Sequence, residues 1–151
     1  MSDTTEAPRP FRVMPAVTPE NEHFWTGGAD GRLQFLRCDD DGTLIHPPAP
    51  RCPQCLGKAV SVAAVSGKAS VFTFSVNHQP WFPDFDPPYV VAIVVIDEQD
   101  DVRLTTNIVG CDPHDVVIGM PVRVTFEEYD GVWLPLFEPD PDAPDDGRSR
   151  P

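Results

Sequence analysis

Positive charge is what this chain has least of. Across 151 residues, 11 Lys and Arg stand against 24 Asp and Glu, for a formal net charge of −13. A nucleic-acid backbone is gripped by a basic stripe that displaces its counterions, and an anionic membrane surface by a basic cluster. With neither present, both partners are excluded. Long apolar runs are missing as well: Tyr89 to Ile96 is the longest and falls far short of a membrane span. No charged segment followed by an apolar one opens the chain, so a reduced, cytoplasmic setting with thiols free for metal is expected.

Catalytic groupings are also absent. Ser66-Gly67 lacks the flanks of a nucleophile elbow, and Gly27-Gly28 lacks the spacing and lysine of a phosphate loop. His23, His46, His78 and His114 lie in four separate contexts, and His78, closing a strand before an aromatic loop, is the one to test first. Asp84 and Asp86 sit among prolines and read as a turn, and Cys111 reads as a small buried apolar group. Nothing here pairs an acid with a base, so the chain alone is not expected to be a catalyst.

What is present centres on residues 38–55. Cys52-Pro53-Gln54-Cys55 is a knuckle whose two sulfurs can face one cation, and Cys38 lies fourteen residues upstream before a turn ending in Gly42. This is most of a zinc ribbon, in which four ligands from two knuckles surround one ion. The slot for the fourth ligand holds Asp41. Two readings stay open: zinc held by Cys38, Cys52, Cys55 and a carboxylate oxygen of Asp41, or knuckles packed without metal. His46 is a weaker substitute, because Asp41 occupies the expected slot. A closed site of this kind is structural.

The rest of the chain falls into segments around the ribbon. Residues 1–17, with Pro8, Pro10 and Pro15, read as a flexible arm that gains order against a partner. Thr18-Pro19-Glu20 predicts a helix start and Gly27-Gly28 its stop, leaving Phe24 and Trp25 on a helix too short to stand alone. Helix and ribbon are assigned to 18–58. From Val60 the apolar period is two, predicting five strands over 59–138: a long first strand bent at Gly67, a central strand covered on both faces at 89–96, and a last strand that Pro135 marks as an edge. Asp130-Gly131 is a hairpin signal. The fold class is thus mostly β, a short helix and ribbon followed by a five-stranded OB-type barrel. Residues 139–151 read as a disordered acidic tail.

Several blocks resemble one known family in its own order. They are Phe24-Trp25, Gly31-Arg32-Leu33 and Arg37-Cys38; Pro47-Pro48 and Cys52-Pro53-Gln54-Cys55; Gly67 and Val71-Phe72-Thr73-Phe74; then Pro88-Tyr89-Val90-Val91-Ala92, Asn107-Ile108-Val109-Gly110 and Ile118-Gly119-Met120-Pro121-Val122. The chain resembles the family called domain of unknown function thirty-five, which joins a short helix, a rubredoxin-like zinc ribbon and an OB barrel. Asp41 departs from that family's second cysteine. The resemblance implies a non-catalytic accessory subunit that bridges or stabilises a thiolase-like partner acting on acyl-CoA. In some members that partner is an aldolase cleaving the CoA-linked side chain of steroids. The alternative is an OB module that itself binds acyl-CoA or an acyl chain. On the first reading, Trp81, Phe82 and Phe85, in a loop stiffened by prolines, join Phe24 and Trp25 as the partner-binding face.

Overall fold

A period of two tells which side chains share a face, not which neighbour supplies the hydrogen bonds. In the computed structural model, which describes residues 10–144, β1 (Gln34–Cys38), β2 (Leu44–Ile45) and β3 (Val60–Ala64) form an antiparallel sheet in the order β2-β1-β3. β3 therefore belongs to the ribbon sheet, with Val62 opposite Leu36, and is not the beginning of a long barrel strand. The barrel is β4 (Lys68–Asn77), β5 (Tyr89–Ile96), β6 (Arg103–Ile108), β7 (Pro121–Tyr129) and β8 (Val132–Pro139), closed in the order β4-β5-β6-β8-β7.

Gly67 separates the two sheets at φ +79°, and a Cβ there would lie 2.6 Å from Val124 Cγ1. Only a glycine lets β7 come this close, and the Val124 N–H donates to the Gly67 carbonyl at 2.8 Å. The bulge expected at Gly67 falls instead inside β4, between Val71 and Thr73, and Phe72 is exposed beneath Arg103 at 4.1 Å. β5 is buried on one face and half-buried on the other, where Tyr89, Ile93 and Val95 are partly covered. Val90, Ala92, Val94 and Ile96 are buried while Val91 is exposed, because a strand of a closed barrel has an inside and an outside.

β8 is not an edge, since it lies between β6 and β7. Pro135 is tolerated for a related reason. Its carbonyl accepts from Thr106 Oγ1 at 3.0 Å, so its nitrogen faces the same side, where β6 pairs in register with β8 only at Ile108 and Phe137.

The helix is one turn and a half, α1 (Glu22–Thr26) followed by a 3₁₀ turn over Gly27–Asp30. Asn21, not Thr18, takes the N-cap position, and its side-chain oxygen accepts from the Thr18 N–H at 2.8 Å. The glycine pair does more than stop the helix: a Cβ at Gly28 would meet Trp133 Cβ at 2.5 Å and the Phe126 ring at 2.7 Å. The absence of that carbon seats the turn on β7 and β8. Phe24, Leu33, Phe35 and Leu44 join Val71, Val94, Val122 and Phe137 in one core, and Cys38, Ile45 and Cys52 form a second, small cluster.

Residues 10–12 of the arm lie against the barrel. The Arg12 guanidinium donates to Asn107 Oδ1 at 2.6 Å and to Glu127 at 3.2 Å, and lies 4.8 Å from the Phe85 ring centroid. Tyr129 Oη donates to the Pro10 carbonyl at 3.1 Å. These contacts hold residues 10–12 of the expected arm against the barrel, while Val13, Met14 and Val17 are exposed; residues 1–9 lie outside the described residues. The start of the tail is likewise held: the Asp140 N–H donates to the Pro121 carbonyl and its carboxylate lies 3.9 Å from Lys68 Nζ. Residues 145–151 lie outside the described residues. Among the described residues no helix is long and apolar enough to cross a membrane.

Candidate metal centre and docking surface

Two tight turns build the metal centre. At the end of β1 the Cys38 N–H donates to the Thr43 carbonyl at 2.8 Å and the Gly42 N–H to the Cys38 carbonyl at 3.0 Å, which folds Asp41 back over Cys38. In the second knuckle the Leu56 N–H donates to the Cys52 carbonyl at 3.0 Å, with Leu56 at φ +62°. The N–H groups of Gln54 and Gly57 point at the sulfurs of Cys52 and Cys55, each at 3.4 Å.

The ligand atoms of Cys38, Asp41, Cys52 and Cys55 all lie within 4.8 Å of one another. Cys38 Sγ is 3.6 Å from Cys55 Sγ, and Cys52 Sγ is 3.4 Å from Asp41 Oδ2. Zinc bonds of about 2.3 Å to sulfur and about 2.0 Å to oxygen require tetrahedral edges of ~3.8 Å between sulfurs and ~3.5 Å from sulfur to oxygen. The four residues fit zinc. The thiols are free, and 3.6 Å is far beyond the ~2.05 Å of a disulfide.

The electrostatics favour a cation. Hydrogen bonds from the Thr43 backbone and hydroxyl hold the Asp41 carboxyl well below the usual range, and its Oδ1 accepts the Thr43 N–H at 2.9 Å. Oδ2 is thereby left toward Cys52. Burial opposes ionisation of Cys52, but N–H groups of Cys55 and Gln54 and the neighbouring thiols outweigh it and lower its pKa. For Cys38 the Asp41 N–H favours the thiolate, yet burial, the Asp41 carboxylate and the Cys55 thiol push it up to about 12. Clustered sulfurs that resist joint ionisation give up their protons to a divalent ion. His46 takes no part: its ring packs 4.8 Å from Phe24 and 5.1 Å from Phe35, inside the core.

The five aromatics expected at a partner face separate in the structure. Phe24 is 6% exposed, buried among this chain's own side chains and edge-on to Trp25 at 4.7 Å. It cannot be a docking anchor, because the short helix is seated by its glycines on the barrel. Trp25 is partly buried against the same core. Trp81 is 67% exposed, its indole N–H tied to Asn77 Oδ1 at 3.2 Å. Phe82 is exposed and packs on Phe11 at 5.4 Å, while Phe85 folds back onto Tyr89 at 4.3 Å. Phe11 and Arg12 escaped the sequence reading. Their only signal is that Arg12 interrupts an apolar run, Phe11 to Val17, at the end of the arm.

Comparison with known proteins agrees with this architecture. Residues 25–61 match the family model described as ChsH2, rubredoxin-like zinc ribbon domain, and residues 62–127 match ChsH2, C-terminal OB-fold domain. A solved structure titled "Ltp2-ChsH2(DUF35) aldolase" contains a chain 37% identical, with TM-score 0.75, covering 83% of this chain and 98% of that one. This chain belongs to the DUF35 family. Two curated relatives of the DUF35 chain carry hydratase names. The probable enoyl-CoA hydratase alpha subunit of Thermomonospora curvata is 37% identical over 90% of this chain and 42% of its own length. The 3-oxo-4,17-pregnadiene-20-carboxyl-CoA hydratase alpha subunit of Mycobacterium tuberculosis is 36% identical over 85% and 40%. The chain thus spans about two fifths of the length of these relatives.

Proposed function

We propose that this DUF35 chain is the non-catalytic subunit of a thiolase-like enzyme acting on acyl-CoA, of the retro-aldolase kind that shortens a steroid side chain. The observation that carries the reading is an exposed apolar strip. Phe82 on the loop packs on Phe11 of the arm at 5.4 Å, and both, with Trp81 beside Phe82 and Val13 beyond Arg12, are exposed. Rigid aromatics of this kind lose little entropy on docking and commonly dominate an interface. The likeness to a chain of an aldolase structure supports the same reading. In this role zinc, held by Cys38, Asp41, Cys52 and Cys55, is structural, and the setting is the cytoplasm. The units are an arm through residue 17, a helix and ribbon that run from residue 18 through β3, the barrel from Lys68 to Pro139, and a tail.

The alternative, an OB module binding acyl-CoA by itself, is disfavoured by charge. Among the described residues the one guanidinium in the hollow between the arm and β5 is Arg12, and Glu127 already neutralises it.

The test is co-expression with a thiolase-like subunit encoded beside this chain. The pair should co-purify and cleave the acyl-CoA substrate, while the chain alone turns over none. Trp81→Ala and Phe82→Ala should each weaken the complex by about 2 kcal/mol and leave the lone chain's Tm unchanged. Turnover by the lone chain, or co-purification indifferent to both substitutions, would overturn the reading.

A further inference from the structure

The sheet face turned away from the core is apolar where solvent should make it polar. Phe35 and Leu33 bury one side of the ribbon sheet in the core. On the other side Leu36 faces Val62 in register and Val60 extends the same surface; Leu36 and Val60 are half-buried against the Cys38, Ile45 and Cys52 cluster, which leaves Val62 uncovered. An antiparallel sheet with one solvated face ordinarily carries polar side chains there, yet Val62 is 49% exposed. This floor lies in a groove of about 770 Å³, walled by the 19–26 segment on one side and Pro48-Ala49-Pro50 on the other.

The charge of the groove is of one sign. Glu20 and Glu22 line it, and no Lys or Arg does among the described residues. Hydrogen bonding from Thr18 lowers the Glu20 pKa and keeps it ionised. Nε2 of His23, which also lines the groove, is shielded from solvent and has no hydrogen-bond partner among the described residues. The sheet order ends at β3, so one edge of the floor has no strand beside it among the described residues.

We infer that this groove receives an apolar segment of the thiolase-like subunit, flanked by Lys or Arg side chains that meet Glu20 and Glu22. The inference rests on the subunit reading above and extends its interface. Residues 11–19 connect the aromatic strip to the groove, with Phe11, Val13, Met14 and Val17 all exposed along the way. Eight residue steps span at most ~28 Å, about the width of a standard interface patch of ~800 Å² per partner. One partner surface can therefore cover both.

The probe is the purified complex with the thiolase-like subunit. Val62→Glu, and separately Glu20→Lys with Glu22→Lys, should each raise the dissociation constant at least about tenfold without lowering the lone chain's Tm. Amide exchange over 60–64 should slow in the complex, and high salt should reduce the effect of the Glu pair. If the wild-type complex protects the loop over 78–86 while 60–64 exchanges freely and both variants bind normally, the inference fails and the subunit reading stands. If no complex forms with the wild-type chain, both fall.

Discussion

Asp41 tests the metal centre at the scale of one side chain. It keeps the negative charge of a fourth thiolate, and the Thr43 N–H aims its free oxygen at Cys52. Asp41→Cys should tighten zinc binding and Asp41→Ala should weaken it about tenfold or more, read by competition with a chromogenic chelator. Equal affinity in all three proteins would remove Asp41 from the ligand set. His46 carries a different prediction. Burial, with His23 adding to it, lowers its pKa from 6.5 to about 4 in the fold, and Nδ1 has no hydrogen-bond partner among the described residues. Above pH ~6.5 both folded and unfolded chains hold it neutral. Between pH 6.5 and about 4 only the unfolded chain binds the proton, so stability falls as pH falls across that window. His46→Phe should flatten the decline of the urea midpoint from pH 6.5 to 4.5; an unchanged slope would assign the acid sensitivity to other groups.

Among the elements, the arm is held by contacts to distant residues through Pro10, Phe11 and Arg12, and Arg12 makes the most of them. Arg12 bridges Asn107, Glu127 and the Phe85 ring across more than seventy residues of sequence. Arg12→Ala should cost about 1–3 kcal/mol and speed amide exchange over 10–17 while the barrel strands stay protected. Exchange unchanged in that segment would mean the arm is held by Phe11 and Tyr129 alone. The same case marks the reach of sequence reasoning. Local signals gave the ribbon spacing, the Asp130-Gly131 hairpin at φ +50° and +84°, and the period of each barrel strand. Three features depend on distant neighbours and left no local mark: Arg12 finding Glu127, Val60–Ala64 pairing with β1, and Phe24 turning inward because Gly28 admits Trp133. The site followed the same division. The ligands share a motif, whereas the docking aromatics had to be sorted by burial.

At the scale of the whole molecule, the question is what zinc holds together. A ribbon is commonly a separate unit that unfolds without its ion. Here the ribbon sheet sends Leu33, Phe35 and Leu44 into the core it shares with the barrel, and only Cys38, Ile45 and Cys52 depend on the knuckles for their burial. Fully burying one Leu or Phe side chain stabilises by roughly 1.5–3 kcal/mol, so three such groups outweigh the small second cluster. Removing zinc should therefore open the knuckles without releasing the sheet. Treating the loaded protein with 1,10-phenanthroline should raise amide exchange over 38–42 and 52–57 and leave β1, β3 and the five barrel strands protected. Cys52→Ser should give the same local pattern. Loss of protection across β4 to β8 on chelation would show that the ion, and not the shared core, joins the two sheets.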